Sequence, residues 1–387
     1  MDEAAGFLVN TERAMQLWDA IIVGAGPAGC AAGYDLAAAG RSVLLLDRAD
    51  FPRPKACAGG LTRKTLRALR YSVAAVTRAT VRSVEVERGR GASARLTSRN
   101  PVCAMTVRQE LDDFCLGKTL AAGARFVRMG AIAGIDVGAT EIVVRSEDAS
   151  FRGRFLVGAD GVHSRVRQLL NGERPGWFRR GFALEAEVHP TEGAASGVIF
   201  DFAPVRAGYG WIFPKRDHLN IGLYTESTTE KLDRARLHAW IRERVGEARV
   251  ESVTGQYLGF GAEDAGPTAG RSFLVGDAGG FADPLTGEGI HGAIASGQAA
   301  SAAIESELSG RASAAQVFAD GTEKLRQDLR FSAAGARWFY GNPERGFGAL
   351  TNPLLRRALI DAYADGMKIA ALASTVRRVA RWLPRKA

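Results

Sequence analysis

Cysteine is scarce in this chain. Cys30, Cys57, Cys103 and Cys115 are the four present among 387 residues, and no two of them form a C-x-x-C pair. That spacing excludes a disulfide framework and a zinc motif, so no metal is expected, and a reducing cytoplasm is the simplest setting. Long apolar runs are missing too: none reaches the roughly 18 residues of a membrane-spanning helix. The first fifteen residues carry Asp2, Glu3 and Glu12 and lack a basic start before an apolar core, so no secretory leader is expected. There is no repeat of solenoid length and no low-complexity linker. The net charge is +9, yet no Lys/Arg block is interleaved with aromatics. Nucleic acid is therefore not an expected partner, and the charge points to an anionic surface or a phosphorylated ligand.

What is present is a core and many turns. The chain is 46% hydrophobic and its length suits about two domains. Its 46 glycines exceed the usual share of about 7%, as a loop-rich α/β enzyme would. The stretch from Asp19 to Ala32 concentrates the information. Ala20 to Val23 reads as a buried strand, Gly24, Gly26 and Gly29 follow with G-x-G-x-x-G spacing, and Pro27 to Ala39 reads as a helix. Gly24 suits a tight turn, Gly26 a close approach to a pyrophosphate, and Gly29 close packing of helix on strand. Ala28 lies in the same turn, where free N–H groups and the helix dipole favour phosphate. A second strand, Ser42 to Leu46, ends in Asp47, placed to bind a ribose, with Arg48 beside it.

Further along, Asp50 to Gly60 is a loop with two prolines, two glycines and Cys57, and Leu61 to Leu69 reads as a helix. Thr80 to Glu87 and Ala94 to Ser98 alternate as strands. A helix opens near Arg108, with Leu111, Phe114 and Cys115 as its buried stripe. Phe155 to Gly158 is a strand followed by the Asp160-Gly161 turn. Arg180 to Val188, Gly197 to Phe202, Gly210 to Phe213 and His218 to Tyr224 read as antiparallel strands, and Lys231 to Val245 as a helix. Val275-Gly276-Asp277-Ala278 returns to the nucleotide-binding style, and Gly287-Glu288-Gly289-Ile290 opens a small-residue-rich helix. Residues 323–387 read as helices.

The order of these motifs resembles the FAD-binding oxidoreductases of the p-hydroxybenzoate hydroxylase fold, over roughly residues 18–305. The resemblance implies an α/β fold with a Rossmann-like FAD-binding domain built from residues 16–75, 104–172 and 268–325. It also implies an antiparallel-sheet substrate-binding domain from 76–103 and 173–267, and a C-terminal helical region, 326–387. It makes Gly24, Gly26, Ala28, Gly29, Asp47, Arg48, Arg108, Asp277, Gly287, Gly289 and Ile290 the expected FAD contacts. Asp277 matches the acid that accepts from the ribityl chain, and the Gly287–Ile290 helix start faces charge on the reduced flavin. Asp160-Gly161 would brace the site. Arg108 would neutralise phosphate, or else be a solvated helix residue.

Two stretches narrow the resemblance. Lys55-Ala-Cys57-Ala-Gly59-Gly60 is similar to the Lys-x-Cys-Gly-Gly-Gly loop of geranylgeranyl reductases, with Ala58 in place of the first glycine. Tyr209-Gly-Trp211-Ile-Phe213-Pro214 is similar to that family's Tyr-x-Trp-x-Phe-Pro signature. His291-Gly292 stands where those reductases often carry a larger aromatic pair. Tyr209, Trp211 and Phe213 alternate, so on a strand they share one face, as a substrate pocket or as ordinary core. Cys57 reads as a site thiol or a small buried hydrophobe. His291 reads as a charge stabiliser or a structural histidine.

The expected reaction is reduction of a C=C bond in an apolar, prenyl or lipid-like substrate; no second G-x-G-x-x-G unit exists, so NAD(P)H would dock transiently or the electrons would arrive from another donor. Cys57, His291 or water would serve the chemistry. A monooxygenase or halogenase on the same fold is the alternative, and a flavin-binding interaction protein is a further one. From Asn352 onward, basic and apolar residues interleave, from Arg356 and Arg357 to Arg385 and Lys386. They read as a peripheral membrane contact or as a solvated helical cap. Nothing in the sequence speaks to oligomeric state.

Overall fold

The computed structural model describes residues 16–172, 175–190, 197–266 and 270–365. Most of the expected basic C-terminal surface, from Lys368 onward, lies outside the described residues. In chain order the described strands are β1 (Leu17–Val23), β2 (Val43–Asp47), β3 (Gly60–Thr62), β4 (Thr77–Val81), β5 (Ser83–Glu87), β6 (Ser93–Thr97), β7 (Cys103–Thr106), β8 (Arg125–Arg128), β9 (Ile132–Val137), β10 (Ile142–Ser146), β11 (Ser150–Gly158), β12 (Arg179–Pro190), β13 (Val198–Asp201), β14 (Gly208–Pro214), β15 (Leu219–Thr225), β16 (Ala248–Phe260) and β17 (Ser272–Leu274). The helices are α1 (Pro27–Ala38), α2 (Arg63–Ala68), α3 (Arg108–Ala121), α4 (Arg165–Asn171), α5 (Arg234–Val245), α6 (Ile290–Leu308), α7 (Ala314–Gly341), α8 (Pro343–Thr351) and α9 (Arg356–Asp365).

The first sheet is parallel through β8, β2, β1, β11 and β17, with β10 added antiparallel to the first half of β11 and β9 antiparallel to β10. Its central segments, Ala20–Val23, Val43–Leu46 and Phe155–Val157, are apolar because both faces are covered. Ala20, Ile22, Val43 and Leu45 face the helix side with α1 and α6, whereas Ile21, Val23, Leu44 and Leu46 fill a second cluster on the other face. Small residues set the helix spacing: a Cβ on Gly297 of α6 would lie 2.3 Å from the Ala28 carbonyl oxygen of α1.

The second sheet runs β16-β12-β15-β14-β13-β5-β6, and a small third sheet joins β3, β7 and β4. Alternation governs the second sheet. Leu184, Ala186 and Val188 of β12 turn toward α5 with Ile212 and Leu223, while Tyr209, Trp211 and Phe213 turn to the other face.

Several expectations need correction. Leu61 belongs to β3, paired with Ala104 and fully buried, and the helix starts only at Arg63. Thr80 to Glu87 is not one strand: β4 joins the third sheet and β5 the second. In α3, Leu111 and Cys115 are buried but Phe114 is half-buried. The 13-residue β16 was not foreseen. It is the edge of its sheet, with only Gly259 and Phe260 buried, so it lacks an apolar face to announce it. The helical C-terminal region begins at Ala314 rather than 323, and a boundary at 325/326 falls inside α7. Among the described residues no helix is long and apolar enough to cross a membrane.

Candidate functional site

A cavity of about 770 Å³ is lined by residues of both large sheets, the loop through Cys57 and the start of α6. Part of its wall is backbone. At the end of β1 the chain turns through Gly24 with φ +103°, and a Cβ there would sit 2.3 Å from the Ala159 carbonyl oxygen. Any side chain would clash as well as strain the turn. Gly26 differs: its Cβ direction is open, meeting only Arg53 Nη2 at 3.5 Å. It begins α1 with no side-chain cap and no acid in the first turn, and this helix start lines the cavity through Gly26, Pro27 and Ala28. Gly29 has the packing role its spacing predicts rather than a place in the cavity lining, since a Cβ would lie 1.8 Å from the Gly24 carbonyl oxygen.

Asp47 lines the cavity and ties its own surroundings together. Its Oδ2 accepts from the Ala25 N–H at 2.8 Å and its Oδ1 from the Ala49 N–H at 3.0 Å. Arg48 lines the cavity with an exposed side chain. A second helix start faces the same space: α6 begins at Gly289 without a side-chain cap, next to Gly287 and Ile290. A Cβ on Gly289 would stand 3.3 Å from Asp277 Oδ1, so glycine keeps that carboxyl close to the helix start. Burial raises the Asp277 carboxyl, while Lys55 and then Arg108 draw it back down.

Arg108 is buried and gripped by Asp112 one turn on, Nε to Oδ1 at 2.8 Å and Nη2 to Oδ2 at 2.9 Å. Arg53 Nη2 shares the same carboxylate at 3.4 Å. Two cations on one carboxylate leave positive charge at the cavity. Burial works against the Arg108 charge, but Asp112 and then Cys57 outweigh it and hold the guanidinium charged. Asp160 braces rather than binds: it accepts from Ser164 Oγ and from the Arg165 and Val166 N–H groups at 2.7 and 3.1 Å, fixing the start of α4. Two uncapped helix N-termini, two acids and surplus cations around one large cavity fit a dinucleotide with a pyrophosphate and polyol segments.

The other part of the wall is aromatic. Tyr209, Trp211 and Phe213 of β14 line it with Phe200, Tyr224 and Tyr363, and all three are also core residues. Pocket and core are thus the same surface. The Trp211 ring lies over Gly222 of β15, where a Cβ would come within 2.1 Å of it, and its Nε1 donates to Asn220 Oδ1 at 2.7 Å. Tyr209 donates its hydroxyl proton to the Thr286 carbonyl ahead of α6. Tyr363 comes from α9, so the C-terminal helices close the pocket as well as presenting Arg356 and Arg357 outward.

Between these walls runs the loop of Cys57. The Cys57 N–H donates to Glu185 Oε1 of β12 at 2.7 Å, and Cys57 Sγ accepts from the Gly59 N–H at 3.4 Å. Lys215, at the end of β14, donates to the Ala58 and Thr106 carbonyls at 2.6 and 2.9 Å. Gly59 has φ +63°, and a Cβ there would lie 2.1 Å from the Thr106 oxygen. Burial pushes the Glu185 carboxyl up to about 7, against the pull of the Cys57 N–H, Asn220, Lys215 and Arg108. Burial drags the Lys215 ammonium down to about 8, against Cys57 and Glu185.

Glu185, Lys215 and Asn220 carried no expected role. Lys215 follows a quoted motif, but Glu185 alternates with Leu184 and Ala186 and so resembles a solvent-facing position. His291 is a correction. It is absent from the cavity lining and lies in the field of Lys64, Glu288 and Asp283, where burial lowers it to about 4. The helix start it follows is what meets the cavity.

A family model described as FAD binding domain matches residues 18–324. Digeranylgeranylglycerophospholipid reductase 2 of Methanothermobacter thermautotrophicus is 31% identical, covering 75% of this chain and 79% of that protein. Geranylgeranyl diphosphate reductase of Rhodobacter capsulatus is 29% identical, covering 76% and 77%. Among solved structures, a geranylgeranyl bacteriochlorophyll reductase-like protein of Thermoplasma acidophilum superposes with TM-score 0.76 at 19% identity, covering 95% of this chain and 100% of that one. A flavin-dependent brominase gives 0.74 at 18%, with the same coverage, so the structural likeness fixes the fold alone. On its sequence relatives and its matched domain, the chain belongs to the geranylgeranyl reductase family of FAD-dependent oxidoreductases.

Proposed function

We propose that this chain saturates C=C bonds of a prenyl or lipid-like substrate held against the aromatic wall. The observation that carries this reading is the placement of the Cys57 loop, in one cavity with both the dinucleotide-binding backbone and the Tyr209–Trp211–Phe213 face. The relatives named for geranylgeranyl substrates support the same substrate class.

FAD, once reduced by a nicotinamide nucleotide, supplies the hydride for one carbon of the double bond. The chain's own residues do the rest. The N-termini of α1 and α6, with Asp47, Arg108 and Asp277, hold and orient the cofactor. The aromatic face excludes water and holds the isoprenoid chain by apolar contact, at about 25 cal/mol per Å² buried. The proton for the second carbon comes from the Cys57 side of the cavity.

The test is anaerobic. Holoprotein with chemically reduced flavin should convert geranylgeranyl diphosphate or a geranylgeranyl ether lipid to products heavier by two hydrogens per reduced bond. Turnover that requires oxygen would instead favour the monooxygenase or halogenase chemistry of the shared fold. Asp277→Ala should lose bound flavin absorbance; full occupancy in that variant would overturn the cofactor assignment. We also propose that an apolar substrate is drawn from a lipid surface. Leu354 is 75% exposed beside Arg356 and Arg357. Equal sedimentation with anionic vesicles by the full chain and by a chain ending before Pro353 would remove that idea.

A further inference from the structure

We propose that Glu185 is the acid that delivers the proton to the second carbon of the double bond. The inference rests on the reductase reading above and names the group that reading leaves open.

The geometry favours Glu185 by its contact with the Cys57 loop and by what several neighbouring groups are already doing. Lys215 spends two of its three N–H groups on the Ala58 and Thr106 carbonyls. The Tyr209 hydroxyl is committed to the Thr286 carbonyl, and burial raises its pKa further. Cys57 Sγ serves as an acceptor for the Gly59 N–H. Arg108 is locked to Asp112, and His291 is off the cavity. Glu185 lines the cavity from the middle of β12, 7% exposed, with Oε1 anchored by the Cys57 N–H at 2.7 Å.

Every element packed on the Glu185 side contributes to its state. The Cys57 loop gives a backbone donor, β15 the Asn220 amide, β14 the Lys215 ammonium and α3 the Arg108 guanidinium. Burial outweighs all four and keeps the carboxyl protonated up to about pH 7. The same four groups then stabilise the carboxylate once the proton has left. An acid poised near the working pH is what proton delivery requires.

The step balances. The Glu185 O–H bond breaks, and the π pair of the alkene forms a C–H bond with the released proton. The hydride of the reduced flavin completes the other carbon. The alkene gains two electrons and the flavin loses two, to be restored by the nicotinamide nucleotide. Glu185 recovers its proton from water.

The experiment compares wild type with Glu185→Gln, which keeps the side-chain volume and an acceptor for the Cys57 N–H. The variant should retain flavin absorbance and prenyl-substrate binding while product formation falls by about 100-fold or more. Wild-type kcat should decline as pH rises through about 7, and that limb should vanish in the variant. Infrared difference spectra of substrate-free protein should show a protonated carboxyl stretch that is lost across the same pH range and is missing in Glu185→Gln. Product formation within about threefold of an active wild type, or an unchanged pH limb, overturns the assignment while leaving the reductase reading intact. A wild type that reduces no prenyl substrate overturns both. Should Glu185→Gln fail to fold, Asn220→Leu serves instead. Removing a donor to the carboxylate must move the limb upward, and a limb that stays put overturns the proposal.

Discussion

Glu185 on β12 and Glu288 just ahead of α6 line the same cavity, yet their surroundings push them in opposite directions. Glu288 has a contact cation and hydroxyl donors. Its Oε2 pairs with Lys64 Nζ at 2.7 Å, and its Oε1 accepts from the Thr62 and Thr65 hydroxyls at 2.8 and 2.9 Å. Burial would raise it, but Lys64 and the hydroxyl donors win and hold it below the usual glutamate value. Glu185 meets its cations only at a distance, and its close partners are a backbone N–H and an amide. Burial wins there. The difference teaches that depth alone does not set an acid's role. A carboxylate with a contact cation is a structural clamp, and one with neutral donors and remote cations keeps a proton to give.

The comparison breaks most visibly at Lys64. Lys64→Met leaves Glu288 largely buried with hydroxyl partners only, and removing one member of a buried pair costs about 3 kcal/mol. Denaturant unfolding should show that loss, and the Glu288 carboxyl should rise toward the behaviour of Glu185. A loss under about 1 kcal/mol would mean that the pair is not what holds the start of α6.

Lys215→Met comes next. The Ala58 and Thr106 carbonyls lose a charged donor, which costs about 2 kcal/mol. The freed loop should expose Cys57 to alkylation several-fold faster. Glu185 also loses a favourable cation, so the pH limb of turnover should move up. An unchanged alkylation rate would show that the loop is held by Thr106 and Gly59 alone.

How much of this was legible in the sequence follows from the same contrast. The backbone half of the site was readable because Gly24, Gly26 and Asp47 act through local geometry at fixed spacing, which a linear pattern records. The aromatic wall was readable because period two places Tyr209, Trp211 and Phe213 together. Glu185 was not, because the pattern Leu184-Glu185-Ala186 reports two faces of a strand without saying that the polar one looks into a cavity. His291 sat in the right motif but off the cavity, a distinction of about 100° per residue around a helix that motif spacing alone does not resolve. The edge strand β16 escaped because its exposed residues leave no apolar alternation.

Gly222→Ala tests how the aromatic wall feeds the Glu185 side. The added methyl would meet the Trp211 ring, which must shift and loosen the Nε1 bond to Asn220. Overpacking of this kind costs about 1–3 kcal/mol. Prenyl-substrate KM should rise and the pH limb should move, since Asn220 also supports Glu185. Lys64 and Glu288 should be untouched, so a variant that alters the flavin site as well would show the two glutamates to be coupled.

The smallest effect at pH 7 is expected at His291, on the Glu288 side. Burial lowers it to about 4 from an ordinary value near 6.5, so the folded protein holds it neutral where the unfolded chain would take up a proton. Stability is therefore lost as pH falls from about 6.5 to about 4, and no further below that. His291→Gln should remove this slope from thermal unfolding measured across that range, with little change at pH 7. Because the imidazole is already neutral where Glu185 titrates, the limb of turnover near pH 7 should stay where it is. A limb that shifts in His291→Gln would put the histidine back into the chemistry and end the division of labour between the two acids.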